Sequence, residues 1–315
     1  MLKTKNKGAP MNLLWKGRFD SDEKEDLRLW QVIKSYKDVS PGTGTCFIGY
    51  DTDEGVSRNK GRVGTKDGPN AIRLSMSSFP NLENIEIYDM GNLCNKNLES
   101  AQEEFSFKVQ EVLEKNLFPI GLGGGHDIVF GHYCGIRKAF PDKKIGIINF
   151  DTHLDMRDYS KEGTSGTSFK QILDQDENIS YLIVGYKDIG NTQRLRNLAD
   201  TYGVKKIPNE ISLENMTKNI KSFIDSVDIV YVTFCMDVFD ISVAPGVSAP
   251  TVIGLEPFKG IYLLQEILKS KKVIAVDFAE VNPEYDIDNR TAKLAGTLAY
   301  EVLNYLNKLG GAYAV

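Results

Sequence analysis

Residues 144–155 read KIGIINFDTHLD, a short apolar run that changes abruptly into acidic residues around one histidine. The run 144–150 is short and rich in isoleucine, which is typical of a strand buried on both faces of a parallel sheet. Alternate residues of an extended segment point the same way, so Asp151, His153 and Asp155 would converge where that strand ends. Carboxylate oxygens and imidazole nitrogens suit Mn²⁺, Fe²⁺, Zn²⁺ or Co²⁺. The stretch therefore predicts a metal site at a strand end, and the competing interpretation is a polar turn with an Asp helix cap.

The same pattern, a short apolar run followed by a helical stretch, recurs along the chain. The runs predicted as strands are 45–50, 118–122, 144–150, 180–185, 228–235 and 272–277. The stretches predicted as helices are 69–77, 98–116, 127–139, 190–202, 212–225, 256–269 and 290–308. Such an alternation forms βαβ units, so the sequence predicts an α/β fold with a central parallel sheet. We expect residues 1–44 to form an N-terminal arm packed on the body, and residues 45–315 to form a single domain.

The composition of the chain argues against several classes of function. The 315 residues carry a formal net charge of −5 without a basic block, so we expect no nucleic-acid partner. No apolar run is long enough to span a bilayer and residues 1–11 lack the apolar stretch of a secretory signal, so we expect no membrane partner and a cytoplasmic location. The four cysteines are scattered without a CxxC pair, which argues against a disulfide framework or a structural zinc site. We expect a small-molecule partner.

Ligand sites of parallel α/β sheets form just beyond the carboxyl ends of the strands, and three more polar residues occupy such places. His126 lies in the motif GGGHD, whose glycines permit a tight turn, and is either a ligand or a capping or core histidine. Asp237 follows the next-to-last apolar run and is either a ligand or a cap or salt-bridge acid. Glu280 follows the last run and is suited to hold a cationic group, or is a surface carboxylate. We interpret His132, on a predicted helix, as structural.

Taken in order, these motifs resemble the arginase/agmatinase family over residues 45–305. The motifs that carry the resemblance are GGGHD at 123–127, DTHLD at 151–155, the spacing from Asp237 to Pro245-Gly246, and AEVNP at 279–283. The resemblance implies a three-layer α/β/α fold with a parallel sheet of about eight strands, so that residues 45–315 would be one arginase-like catalytic domain. It further implies two Mn²⁺ at the carboxyl edge of the sheet and a homo-oligomer.

The resemblance also implies a set of metal ligands. One ion would be held by His126, Asp151 and Asp155, and the other by Asp151, His153 and Asp237, with Asp151 bridging the two. The family has a second bridging Asp where this chain has Cys235. A thiolate is softer than Mn²⁺ prefers, so one site would be weaker or partly filled. Alternatively Cys235 is oxidised or blocked, for instance by pairing with Cys46.

Several segments resemble the formimidoylglutamase branch of the family in particular. They are 54–64, 67–73, 164–169, 244–250 and 288–294. The resemblance implies conversion of N-formimino-L-glutamate and water to L-glutamate and formamide, a step of histidine degradation. Ser165-Gly166 stands where arginase and agmatinase have His-Gly, whose His shuttles protons, and this counts against arginine or agmatine as substrate.

The substrate-binding candidates follow from the charges of that substrate. Arginase has a neutral Asn at the place of Arg157, and an Arg there can pair bidentately with a carboxylate; the alternative is a surface salt bridge. Ser165 is a second candidate, and Arg58, Lys60 and Arg62 are candidates for the second carboxylate.

The catalytic expectations assign one task to each of two acids. Asp155 would orient the attacking hydroxide and pass its proton to the leaving nitrogen, and Glu280 would pair with the amidinium group. Three alternatives stay open: another ureohydrolase such as agmatinase, guanidinobutyrase or arginase, a metal-poor non-catalytic family member, and a nucleotide binder that uses GLGGGHD. That last motif lacks the GxGxxG spacing of dinucleotide-binding folds.

Overall fold

A central parallel sheet organises the molecule. The structure is a computed structural model that describes residues 14–39, 42–95, 97–159 and 162–311. In these residues nine strands form one sheet in the order β1-β3-β2-β4-β9-β8-β5-β6-β7, with every neighbouring pair parallel. The strands are β1 Lys34–Ser35, β2 Gly44–Tyr50, β3 Glu86–Asn92, β4 Phe118–Gly123, β5 Ile145–Phe150, β6 Ile179–Tyr186, β7 Lys205–Pro208, β8 Ile229–Cys235 and β9 Val273–Ala279.

Helices cover both faces of the sheet. They are α1 Leu29–Val32, α2 Glu54–Arg58, α3 Gly68–Met76, α4 Leu98–Glu114, α5 Ile128–Ala139, α6 Ser168–Gln175, α7 Gln193–Thr201, α8 Leu213–Asp225, α9 Pro257–Leu268 and α10 Arg290–Lys308. Because successive strand residues point to opposite faces, Phe47 packs into one apolar core with α3, α8, α9 and α10, and Ile48 into another with α4 to α7. These two cores confirm the predicted α/β/α fold.

The sheet differs from the sequence prediction at its margins. All six predicted strands are present, shifted by at most two residues, but β1, β3 and β7 were not predicted, so the described sheet has nine strands rather than about eight. The middle strands β4, β9, β8 and β5 are buried along their whole length. The outer strand β3 reads EIYDMGN and β7 reads KKIP, and neither has the continuous apolar character of a strand buried on both faces.

Residues 14–39 lie against this body. The Trp15 ring packs 5.5 Å from the ring of Phe47, and its Nε1 donates to Asp89 Oδ2 at 2.6 Å. Strand β1 adds two residues to the edge of the sheet beside β3. The rest of the predicted arm, at 1–13 and 40–41, lies outside the described residues, so the boundary at residue 44 stays a prediction. In the described part of the chain, no helix is both long and apolar enough to cross a membrane.

Candidate metal centre

Four neighbouring strands, in the order β4-β9-β8-β5, carry the candidate site. Each is followed directly or within three residues by a predicted site residue: His126 after β4, Glu280 after β9, Asp237 after β8 and Asp151 after β5. Because the strands are parallel, their carboxyl ends meet at one edge of the sheet. Residues more than 150 positions apart are therefore in contact, as when the His126 backbone N–H donates to Glu280 Oε1 at 3.0 Å.

The ligand-type side chains form two groups that share Asp151. In the first, one ligand atom from each of His126, Asp151 and Cys235 lies within 4.8 Å of the others. His126 Nδ1 lies 3.1 Å from Asp151 Oδ2 and 3.0 Å from Asp155 Oδ2, which brings Asp155 to the same position.

The second group consists of Asp151, His153 and Asp237, whose ligand atoms also lie within 4.8 Å of one another. His153 Nδ1 is 3.1 Å from Asp237 Oδ2 and 3.4 Å from Asp151 Oδ1. Asp237 Oδ1 is buried and has no hydrogen-bond partner among the described residues. A buried carboxylate oxygen without a partner is costly, and a cation is the partner that would suit it.

The pKa values of the acids show the electrostatic cost of collecting them in one place. Burial, reinforced by the charge of Asp151, raises the pKa of Asp237 to about 6. The same two causes raise the pKa of Asp155. Burial raises the pKa of Glu280 to about 8, although the His126 N–H bond opposes the shift. Acids that lose charge in this way would regain it beside cations, so the donor set fits a pair of metal ions.

The pKa values of Asp151 and of the two histidines shift in the directions expected for ion pairs. Burial disfavours the Asp151 carboxylate, but hydrogen bonds from His126 and His153 outweigh it and lower the pKa of Asp151. Burial likewise opposes charge on the histidines, yet Asp151 and its neighbouring acids raise the pKa of both well above its usual value. Protons on the two imidazoles thus balance the acids when metal is not bound.

Cys235 lies with His126 and Asp151 in the first ligand group, and the suggested pairing with Cys46 is wrong. Both thiols are free and buried. Through the ladders of β2, β4 and β9, Cys46 is level with Ala275, whereas Cys235 is level with Ala279. Four residues of strand are about 13 Å, far beyond the ~7 Å limit between the Cα atoms of a disulfide. Burial, together with the charges of Asp151, Asp237 and Glu280, raises the pKa of the Cys235 thiol, so a bound cation is needed to make it a thiolate.

A buried hydrogen-bond network orients His126 from the side away from the ligand groups. His126 Nε2 lies 3.1 Å from Thr233 Oγ1, and Thr233 donates its single hydroxyl hydrogen to Asp277 Oδ1 at 2.5 Å. With that hydrogen used, Thr233 accepts from Nε2–H, which leaves the Nδ1 lone pair of neutral His126 facing the ligand groups. Asp277 also accepts from Tyr231 Oη and from Nδ1 of His132, the histidine interpreted as structural.

Two side chains at the centre come from backbone in the left-handed region. Asp155 has a φ of 45° and Glu280 a φ of 67°, values that non-glycine residues seldom adopt. The Glu280 N–H donates to Gly124 O at 2.9 Å, which holds this bend in place. Glu280 Oε2 is buried without a hydrogen-bond partner in the part of the chain that is described. Strained backbone of this kind is retained where the surrounding structure enforces it, as at functional sites.

A cavity of about 110 Å³ lies over the ligand groups. Its lining residues are Asn59, His126, His153, Asp155, Arg157, Ser165, Gly190, Asn191, Leu195, Cys235, Asp237, Ser248, Ala249 and Glu280. The list contains Arg157 and Ser165 together with most of the predicted metal ligands. Asn59, Asn191 and Ser248 were not predicted, because an amide or a hydroxyl in a loop gives no sequence signal of its own.

Arg157 is a cationic side chain in the lining of this cavity. Its side chain is exposed, and its guanidinium forms no ion pair with any residue that the structure describes. Its backbone N–H donates to Gly166 O at 2.8 Å. A Cβ at Gly166 would lie 3.0 Å from Arg157 Cδ and 3.0 Å from Asn59 Oδ1, so this glycine lets the two side chains lie beside each other.

The other three candidate cations lie outside the cavity lining, contrary to expectation. The Arg58 guanidinium pairs with Glu54 at 2.8 Å and also with Glu99, so its charge is already neutralised. The Arg62 guanidinium lies over the Tyr285 ring, 5.0 Å from its centroid. Lys60 is exposed and has a φ of 62°. No sequence pattern indicates these partners, which lie up to 223 positions away from the cation.

Comparison with known proteins agrees with this geometry. The model of the arginase family matches residues 43–304. Formimidoylglutamase of Lysinibacillus sphaericus is 42% identical over 312 residues, covering 94% of this chain and 96% of that protein. Formimidoylglutamase of Macrococcus caseolyticus is 40% identical over 294 residues, covering 91% and 94%.

Solved structures of the family share the fold of this chain. Trypanosoma cruzi formiminoglutamase with Mn²⁺ superimposes with a TM-score of 0.82 at 25% identity, covering 90% of this chain and 99% of that one. Formimidoylglutamase from Bacillus subtilis shares the fold with a TM-score of 0.83 at 20% identity, covering 94% and 96%. The chain belongs to the arginase family and is a hydrolase of that family.

Proposed function

We propose that this protein hydrolyses N-formimino-L-glutamate to L-glutamate and formamide, a step of histidine degradation, at a site that takes two Mn²⁺. The observation that carries the substrate assignment is Arg157, a guanidinium without an acidic partner in the described residues, in the cavity over the ligand groups. A free cation there suits a carboxylate-bearing substrate and repels agmatine, which is cationic. The relatives named above, which are formimidoylglutamases at 40% and 42% identity, support the same choice.

One Mn²⁺ would be held by His126, Asp151 and Asp155, and the other by Asp151, His153 and Asp237. Cys235 lies close enough to take part as a further ligand to the first ion. Mn²⁺ held there would supply Lewis-acid chemistry, which lowers the pKa of a bound water toward neutrality and polarises the substrate. Everything else in the reaction is done by side chains of this chain.

Asp155 is proposed to carry the proton. Its side chain is 16% exposed and lines the cavity, so it reaches both a water at the ligand groups and a substrate above them. It takes a proton from the attacking water and returns it to the nitrogen that leaves with glutamate, after which the C–N bond breaks. The left-handed backbone at Asp155 directs the carboxylate into the cavity.

Glu280 is proposed to hold the formimino group. Its unpartnered Oε2 accepts a hydrogen bond from the cationic NH₂ of the amidinium, while its Oε1 stays bonded to the His126 backbone. This contact places the reacting carbon over the ligand groups and supplies a counter-charge to the substrate. Arg157 binds a carboxylate of the glutamate portion, and Ser165, which is 6% exposed, lines the same side of the cavity.

The experiment that tests the proposal removes all metal, reloads the protein with Mn²⁺, and counts bound metal while assaying four substrates. These are N-formimino-L-glutamate, arginine, agmatine and guanidinobutyrate. Turnover of formiminoglutamate alone, with about two Mn²⁺ per chain, is the expected result. Turnover of a guanidine instead would keep the metal site and overturn the role of Arg157. Little bound metal and no turnover would favour a metal-poor, non-catalytic family member, with Cys235 as the reason.

Two further expectations belong with this proposal. We propose that the protein forms a homo-oligomer, which sedimentation at micromolar concentration would measure. We also propose that it acts in the cytoplasm, which fractionation of its source cells would test.

A further inference from the structure

We propose that Asn191 is a positioning residue that holds the ligand loop, residues 151–155, in its metal-binding conformation. The inference rests on the proposed metal site and names a residue that acts on it through the backbone. Asn191 is 4% exposed and follows a short 3-10 turn, Asp188–Gly190, between β6 and α7. It therefore approaches the ligand loop from the neighbouring strand of the sheet.

Three hydrogen bonds tie the Asn191 amide in place. Its Oδ1 accepts from the Leu154 N–H at 2.9 Å, and its Nδ2 donates to Thr152 O at 2.8 Å and to Lys187 O at 2.8 Å. Thr152 and Leu154 are the two residues on either side of His153. One amide thus fixes the backbone before and after a ligand, and it uses both donors and one acceptor to do so.

The ligand loop needs an outside partner because it forms no regular structure of its own. The strand ladder ends at Phe150, and Asp155 turns into the left-handed region with a φ of 45°. Thr152 is 2% exposed and Leu154 is fully buried, so water does not replace the bonds that Asn191 makes. Without this amide the buried Leu154 N–H would lose its partner and Thr152 O would keep only the Lys187 N–H at 3.4 Å, so the loop would rearrange to satisfy them.

The turn before Asn191 also fits the His153 ring. A Cβ at Gly190 would lie 3.1 Å from His153 Cδ2 and 3.4 Å from Nε2, so the turn packs directly against the imidazole. The position of Asn191 and the position of this ring are therefore linked through adjacent residues. Displacement of the amide would move both the loop backbone and the surface on which the ligand ring rests.

The test compares Mn²⁺ binding in Asn191→Asp, Asn191→Ser and Asn191→Ala with the unaltered protein. Metal-free protein is titrated with Mn²⁺, and the free ion is read from its electron paramagnetic resonance signal. In Asn191→Asp, the carboxylate still accepts from the Leu154 N–H, but its second oxygen faces the carbonyl oxygens of Thr152 and Lys187, which repel it. We therefore expect Mn²⁺ to bind about 10- to 100-fold more weakly, which is the range for lost outer partners of metal ligands. The Asn191→Ser variant keeps one hydrogen-bond donor, so its Mn²⁺ affinity should lie between that of Asn191→Ala and that of the unaltered protein.

The control separates positioning from general stability. Gln31→Ala removes two amide hydrogen bonds, from Nε2 to Ser21 O at 3.1 Å and from the Arg28 N–H to Oε1 at 3.0 Å, in helix α1 just before β1, at the opposite edge of the sheet from β7. We expect this variant and Asn191→Ala to melt within a few degrees of each other without metal, while only the Asn191 variants lose Mn²⁺ affinity. Saturating Mn²⁺ should restore most of the turnover of Asn191→Ser.

The outcomes distinguish this inference from the proposed function. If the unaltered protein binds Mn²⁺ and all three Asn191 variants bind it equally well, the positioning role is wrong and the proposed function stands. If Gln31→Ala also binds Mn²⁺ more weakly, in proportion to its lower melting temperature as Asn191→Ala does, the positioning role is likewise wrong. If the unaltered protein itself takes up no Mn²⁺, the metal site and the inference built on it both fail.

Discussion

Removal of the Arg157 guanidinium should lower kcat/KM for the proposed substrate, formiminoglutamate. The expected cause is the loss of one contact with a substrate carboxylate. In Arg157→Ala the cavity keeps every proposed metal ligand and loses one cation that has no ion pair among the described residues. A hydrogen bond to a charged group contributes about 1.5–3 kcal/mol. At 1.4 kcal/mol for each factor of ten, kcat/KM for formiminoglutamate should fall by about 10- to 150-fold.

The form of the loss follows from where the contact lies. In the proposed reaction the substrate carboxylate is remote from the carbon under attack, so Arg157 should bind substrate and transition state alike, and the loss should appear mainly as a raised KM. Because Arg157 is exposed, its contribution should also shrink as ionic strength rises. Arg157→Asn should show the same loss for formiminoglutamate while sparing any turnover of a cationic substrate.

Steady-state kinetics with saturating Mn²⁺ measure this effect, with Arg290→Ala as the matched control. Arg290 is an exposed cation at the start of α10, 4.0 Å from Asp288, and its removal changes the net charge equally. We expect less than a twofold change in that variant. An Arg157→Ala enzyme with normal KM for formiminoglutamate would refute the assignment of this residue, and equal losses in both variants would show a general charge effect instead.

Four more outcomes are expected at the metal centre. Asp151→Asn, which alters the residue shared by both ligand groups, should leave the protein with well under one Mn²⁺ per chain by elemental analysis; two retained ions would contradict the ligand assignment. Cys235→Asp replaces a soft ligand with a hard one and should tighten Mn²⁺ binding in an equilibrium titration, so weaker binding would show that the thiol is the better ligand here. Glu280→Gln should lower kcat/KM by two orders of magnitude or more, roughly 3 kcal/mol, with Mn²⁺ content unchanged; near-normal turnover would exclude its contact with the amidinium. Because the pKa values of His126 and His153 are raised, protons compete with metal for them, and Mn²⁺ affinity should fall steadily as pH is lowered from 8 to 6; a flat profile would argue against both as ligands.

The centre of this fold could be predicted from sequence because its buried strands consist of continuous apolar runs. Strands β5 and β8 are apolar throughout since both of their faces are covered, and acids that directly follow such runs have to lie at one edge of the sheet. The sequence pattern alone therefore predicts that Asp151 and Asp237 lie close together. It did not extend to β3, whose sequence mixes Asp89 and Asn92 with apolar residues near the edge of the sheet.

The substrate side of the site depends on contacts that a sequence pattern does not contain. In the sequence Arg58 and Arg157 look alike as cations in predicted loops, yet Glu99, 41 positions from Arg58, pairs only with that first cation. The role of Asn191 is likewise not visible in the sequence, because its three hydrogen-bond partners are backbone carbonyl and amide groups, which every residue type has. Pairings of this kind are set by tertiary packing, so only the structure separates a cation that is available to a ligand from one that is not.

The position of β9 has a consequence for the assembly of the molecule. The last strand of the chain inserts between β4 and β8, and the described sheet has no other connection between its β1-β3-β2-β4 half and its β8-β5-β6-β7 half. His126 stands on one side of that seam and the other proposed ligands stand on the other. A nascent chain therefore cannot bring them together until residues 273–279 have been synthesised and have entered the sheet. Tight binding of Mn²⁺ would then stabilise only chains in which both halves have joined, so that metal uptake reports completion of folding.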